Sequence, residues 1–233
     1  MCMFKSMLLL KDKVFCPNYD SHEDMINETG MEHGPMRENF VRVEITPPDD
    51  DLTVPIDKWE YKVDQDYLPE WYVEEVDKPR CFDALKAWAV KHILIGQEVP
   101  EVKQDEFVML VNCNTGIVKG TVQEVWGGTV QKVWDGGTVQ EVRDGGTVQE
   151  VWDGGTVQKV RGGTVQEVWA GGTVQKVWDG GTVQKVRAGG TVQKVRAGGT
   201  VQKQTGGIVI YADGRISVCN KNFYRLITPE EMK

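Results

Sequence analysis

Between residues 120 and 205 one pattern of apolar and polar positions recurs ten times: Thr, Val, Gln, Glu or Lys, Val, then Trp or Arg, with Gly-Gly between units. The threonines stand at Thr121, Thr129, Thr138, Thr147, Thr156, Thr164, Thr173, Thr182, Thr191 and Thr200. Units are nine residues long, except for two of eight that lack the Asp or Ala before Gly-Gly. That slack places the Asp/Ala position in a turn. Two glycines and three β-branched residues per unit favour strand over helix. A unit this short buries no core alone and must stack on its own copies. The pattern predicts a mainly β fold, a β-solenoid in which each unit forms part of a coil.

In a straight strand the two valines of a unit point to opposite faces. A bend at Gln-Glu/Lys turns both inward and leaves Thr, Glu/Lys and Trp/Arg outward. Two units then make a coil of 17 or 18 residues, and three a coil of 26 or 27. Two is the preferred arrangement, giving five coils and a rod of about 24 Å at about 4.8 Å per coil. One outward column then contains Trp134, Trp152, Trp169 and Arg187, and the other Trp126, Arg143, Arg161, Trp178 and Arg196. The valines persist in every copy except the last, where Gln204 replaces the second. The outward positions exchange Glu for Lys, Trp for Arg and Asp for Ala, as expected of exposed sites, because a core position that took Arg for Trp would bury a charge.

The flanks read differently. Residues 1–119 predict a small α+β domain that caps the solenoid. Its elements are a hairpin over Ser6–Cys16, a helix near His22–Thr29 between Ser21 and Gly30, and strands at Phe40–Ile45, Trp59–Val63 and Phe107–Val111. A second helix is expected from Pro79 to Ile95, and a turn over Asn112–Gly116. Asp49, Asp50 and Asp51 read as an acidic turn. Residues 206–233 predict a closing cap, a hairpin around Ala212-Asp213-Gly214 and a short helix from Thr228.

Charge is uneven: residues 1–119 carry 13 Lys/Arg and 24 Asp/Glu, while 120–205 carry 10 and 8. Within the repeats, 120–161 hold 4 basic and 6 acidic residues and 162–205 hold 6 and 2. An acidic head thus joins a rod that turns basic, an asymmetry that suits a charged partner. The apolar run at Met7–Leu10 is too short for a signal peptide or membrane span, and five scattered cysteines without a Cys-x-x-Cys pair point to a reducing cytoplasm. Candidate chemistry is sparse. His92 reads as a helix-face residue, and His22 with Cys16 matches no established metal-ligand spacing. Asp64 and Asp66 read as a solvated strand end, and His33 has no companion. No phosphate loop, nucleophile elbow or zinc motif occurs. The expectation is a protein that is not an enzyme and needs no cofactor or metal.

The Gly-Gly-Thr-Val-Gln-x-Val-x run resembles short-period repeat proteins of phages and other mobile elements of gut bacteria. The segment from Asp57-Lys58-Trp59 to Leu68-Pro69-Glu70-Trp71-Tyr72 is similar to amino-terminal segments of such proteins. The architecture is similar in spirit to that of pentapeptide-repeat proteins, some of which mimic DNA. The resemblance implies no catalytic residues. The expected function is a protein-binding module that sequesters or inhibits a host protein, with Asp49–Asp51 and the Trp/Arg columns as candidate contacts. Single-stranded nucleic acid on the Trp, Arg and Lys columns, a structural spacer, and ice binding through Thr and Gln rows are the alternatives. Self-association through a cap is open.

Overall fold

The computed structural model describes residues 5–31, 39–220 and 223–232; Cys2 and His33 lie outside them. The chain divides into two compact units, Met1–His92 and Ile93–Lys233.

The first unit is α+β. Its strands β1 (Lys5–Leu10), β2 (Val14–Phe15), β3 (Phe40–Thr46) and β4 (Glu60–Val63) form an antiparallel sheet in the order β2-β1-β3-β4. Helix α1 (His22–Thr29) starts where Ser21 Oγ accepts from the Asp24 amide and stops at Gly30, which adopts φ 66°. Its Met25 and Ile26 pack on Leu8, Leu10 and Phe40. Helix α2 spans Glu74–His92, so it begins before Pro79 and ends before Ile93. Helical periodicity had extended it to Ile95. Instead Ile93-Leu94-Ile95 is an aliphatic run that pairs in parallel with Met109–Val111 as the edge strand of its wall, half-buried at Ile93 and Leu94 and exposed at Ile95.

The second unit is the solenoid, and its coils begin ahead of the repeat. Strands β5 (Ile93–Ile95), β6 (Glu98–Val102), β7 (Phe107–Val111) and β8 (Asn114–Val118) form its first two coils. The ten copies follow as β9 (Thr121–Trp126), β10 (Thr129–Val133), β11 (Thr138–Val142), β12 (Thr147–Val151), β13 (Thr156–Val160), β14 (Thr164–Val168), β15 (Thr173–Val177), β16 (Thr182–Val186), β17 (Thr191–Val195) and β18 (Thr200–Gln204). Odd-numbered strands stack into one wall and even-numbered strands into the other, which holds seven strands. Coils therefore contain two units, as the pattern predicts, but number about seven rather than five. They make a rod of about 34 Å at about 4.8 Å per coil. Asn114–Gly116, expected in a turn, lies in β8, leaving the turn to Asn112 (φ 52°) and Cys113.

Register carries the architecture. Thr129 sits on Thr147, Val130 on Val148, Lys132 on Glu150 and Val133 on Val151, with Gln131 skipped. The same omission of Gln recurs in both walls. Alternation breaks at that residue, so valines three apart both face inward, and every valine of the first nine copies is buried. Beyond β18 the odd wall continues through β19 (Gly207–Tyr211) and two antiparallel strands, β20 (Ile216–Asn220) and β21 (Phe223–Ile227). A 3₁₀ turn, Pro229–Met232, follows where the short helix was expected.

The two glycines of each turn answer different constraints. At Trp178-Asp179-Gly180-Gly181 the Gly181 amide donates to Trp178 O at 2.9 Å, and Gly180 takes φ 70°, the third position of a type II turn. Gly181 has ordinary φ, but a Cβ there would stand 2.3 Å from Val160 O in the preceding coil. The coil spacing leaves no room for a side chain. Gly181→Ala is expected to lower unfolding free energy by about 1–3 kcal/mol, the usual cost of overpacking. Urea denaturation checks this, and an unchanged midpoint would refute the steric assignment.

Candidate functional site

The outward positions form the two columns the repeat implies, but they are less exposed than expected. Trp134 is 44% exposed and Arg161 is exposed, whereas Trp126, Trp152, Trp169, Trp178, Arg143, Arg187 and Arg196 are half-buried. Most of these residues lean on a neighbour one coil away. In the even wall Trp152 and Trp169 stack with centroids 4.6 Å apart and planes 8° from parallel. The Arg187 guanidinium covers Trp169 at 3.9 Å. In the odd wall Arg143 lies over Trp126 at 4.8 Å and Arg196 over Trp178 at 4.1 Å. Lysines add to the stacks, Lys132 over Trp152 at 5.1 Å and Lys159 over Trp178 at 5.0 Å. Such contacts contribute about 0.5–1 kcal/mol each at exposed sites.

Two residues before each Trp or Arg stands a Glu or Lys on the same outer surface, and a Glu there can accept from the neighbouring rings and guanidinium groups. Glu124 is only 6% exposed. Its carboxylate accepts the Trp126 indole N–H on one oxygen and Arg143 Nη2, at 2.7 Å, on the other. Glu150 accepts from Trp152 Nε1 at 2.7 Å. Glu167 takes both Arg187 Nε and Nη2, at 2.7 and 2.6 Å, and lies 3.5 Å from Lys185. Glu141, 8% exposed, receives Lys159 Nζ at 2.9 Å. Nearer the carboxyl end the position is Lys, and the acceptor is gone. Trp178 Nε1 and Arg196 Nε are shielded from solvent without a hydrogen-bond partner, and so are Trp169 Nε1 and Arg143 Nε beside their glutamates, each at a cost of about 1–3 kcal/mol. Arg161, Lys176, Lys194 and Lys203 have no ion-pair partner among the described residues.

Asp49, Asp50 and Asp51 belong to the other unit. Asp49 and Asp50 have φ of 54° and 58°, and Asp51 accepts from Thr53 N and Oγ1 at 2.8 and 2.7 Å, which holds its carboxyl below the ordinary range. They make a tight turn. The same unit places His22, Glu44 and Asp64 together, their donor atoms within 4.8 Å of one another. Sequence spacing sets His22 with Cys16 and Asp64 with Asp66 instead, because Glu44 of β3 and Asp64, just past β4, come together only once the two strands pair. His22 Nε2 contacts Val43 O at 3.2 Å, and Lys62 Nζ lies 3.5 Å from Asp64 and 3.8 Å from Glu44. Donors sharing one zinc ion at about 2.0–2.1 Å stand roughly 3.3 Å apart. The cluster would have to contract to hold a metal, and Lys62 already supplies the positive charge. Burial raises the Cys16 thiol to about 11 and the Cys81 thiol to about 12, so both stay protonated at neutral pH.

No helix among the described residues is long and apolar enough to cross a membrane. Compared with protein-family models, curated proteins and solved structures, the chain finds no significant match in any of the three. The class defined by its architecture is that of β-solenoids with coils of 17–18 residues.

Arg187 holds the Glu167 carboxyl below its ordinary range, chiefly through hydrogen bonding. A carboxyl depressed in the folded state stabilises above its unfolded pKa and loses that contribution as pH falls through the folded value. Glu167→Gln is therefore expected to lower stability at neutral pH. The deficit should close below the ordinary carboxylate range. Urea midpoints across acidic pH check this; a constant difference would refute it.

Proposed function

We propose that the chain is a non-enzymatic binding module that engages an acidic protein surface through the odd wall of its solenoid. One observation carries this reading. In the amino-terminal half of that wall the outward charges are consumed internally, by Glu124–Arg143 and Glu141–Lys159 pairs. In the carboxyl-terminal half Arg161, Lys176 and Lys194 stand unpaired beside Trp178 and Arg196. Lys159 and Lys176 are directly stacked in the parallel register, and like charges in that relation repel. An acidic partner would relieve the repulsion, and Trp178 already holds the neighbouring Lys159 and Arg196 in place.

The fuller form of this reading, a host protein sequestered or inhibited in the cytoplasm by a mobile-element protein, rests on the resemblance of the repeat alone. Single-stranded nucleic acid is the second reading, favoured by the same unpaired cations. Base stacking needs free ring faces, however, and Arg187 and Arg196 cover Trp169 and Trp178. The spacer reading draws on the same stacks, which would stiffen the rod without any partner.

The test is affinity capture at low salt with the full chain and with Arg161→Glu/Lys176→Glu/Lys194→Glu. The wild type should retain a stoichiometric acidic protein that the triple variant loses. Absence of such a protein, or equal retention by both, would overturn the proposal.

A further inference from the structure

The odd wall contains one carboxylate cradle twice, once filled and once without its acid. In the filled copy the Trp126 indole N–H and the Arg143 guanidinium, one coil apart and 4.8 Å from ring to cation, both donate to Glu124. Trp178 and Arg196 repeat that relation one coil apart, at 4.1 Å. There the residue equivalent to Glu124 is Lys176. The exchange removes an acceptor and adds a cation. The difference between the two copies is the indole: Trp126 Nε1 has its acceptor, whereas Trp178 Nε1 is shielded and unpartnered, while the guanidinium Nε is unpartnered in both. Lys176 and Lys194 stand exposed at the rim without an ion pair.

We infer that the Trp178–Arg196 cradle is a binding site for a carboxylate supplied from outside, an Asp or Glu side chain of an acidic peptide segment. The inference rests on the proposed binding role of this wall and locates its central contact. Glu124 shows which group the geometry accepts: one carboxylate oxygen on the indole N–H, the other on the guanidinium. Charge-assisted hydrogen bonds of this kind are short and strong. Lys176 is exposed and unpaired, so it can swing aside and close over the incoming acid, and Lys194 meets a second acidic residue one coil further on. A peptide lying along the rod axis crosses these cations at about 4.8 Å per coil.

Lys176→Glu tests the assignment, because it supplies the missing acid internally. A fluorescent oligo-glutamate peptide, followed by anisotropy, should bind the full-length wild type with an affinity that falls as salt rises. Lys176→Glu should weaken that binding by about tenfold or more, the scale of one charge-assisted contact, and should raise the melting temperature as the orphaned Trp178 indole N–H gains an acceptor. Lys203→Glu makes the same charge change on the even wall and should leave binding near wild type. Equal losses in both variants would reduce the effect to net charge and overturn the site. So would a variant whose melting temperature does not rise, or a wild type that ignores the peptide. Binding of oligo-dT in place of oligo-glutamate would overturn the carboxylate assignment in favour of phosphate. A native partner captured by a wall whose Lys176→Glu variant binds peptide normally would leave the binding role standing and remove only the cradle.

Discussion

Everything in the solenoid depends on parallel, in-register stacking of equal residues. Each outward side chain has its counterpart about 4.8 Å above and below, so a single position becomes a column. A column of one charge repels itself, and a column of aromatic rings stacks. The chain resolves this by mixing: Trp152 on Trp169 under Arg187, Arg143 on Trp126, Lys132 beside Glu150. The inward side faces a simpler demand. Two valines three apart fill the space between walls only because alternation breaks at Gln, and the second glycine of each turn lets the coils approach.

The same coupling changes how the variable positions are understood. Taken one at a time, the Glu/Lys and Trp/Arg exchanges look like drift at exposed sites. The structure ties them together, because residues two apart share one outer surface and residues one coil apart share hydrogen bonds. With Glu at the first position a carboxylate is within reach, and it accepts from Trp126, Trp152 and Arg187, although the Trp169 indole N–H beside Glu167 stays unpartnered. With Lys, as at Lys176, the buried donors of Trp178 and Arg196 have none. The exchange of acid for base therefore changes the hydrogen bonding of the neighbouring ring as well as the charge at its own position.

Much of this was legible in the chain. The Thr spacing yields the two-unit coil, and the coil yields both columns residue by residue. The earliest coils were not legible, since Ile93–Val118 carries no Gly-Gly-Thr-Val-Gln motif. A weaker signal was present. Val99 and Val102, and Thr115 and Val118, keep the inward spacing of three residues and pair with each other in register. Helical periodicity masked the start of the solenoid, because Ile93 also continues the apolar face of α2. The buried state of Glu124 and Glu141 could not be read either. It follows from the Arg and Lys one coil away, a relation that exists only after stacking.

The final copy bears on where the rod stops. Gln204 replaces the second inward valine, a change that would place an unpaired amide in the middle of a valine column. At the end of the even wall the amide has partners. Its nitrogen donates to Gly207 O at 3.0 Å and Ser217 O at 3.2 Å, and its oxygen accepts from Ser217 Oγ at 2.5 Å. A buried polar group with its hydrogen bonds made costs little, whereas one without them is expensive. The amide therefore closes the apolar column where the even wall runs out, and β19 and β20 supply the carbonyls and hydroxyl that satisfy it. A further valine at this position would leave the buried Ser217 hydroxyl and carbonyl without these bonds. The one core position at which the repeat breaks its own rule is thus the position at which coil stacking has to stop.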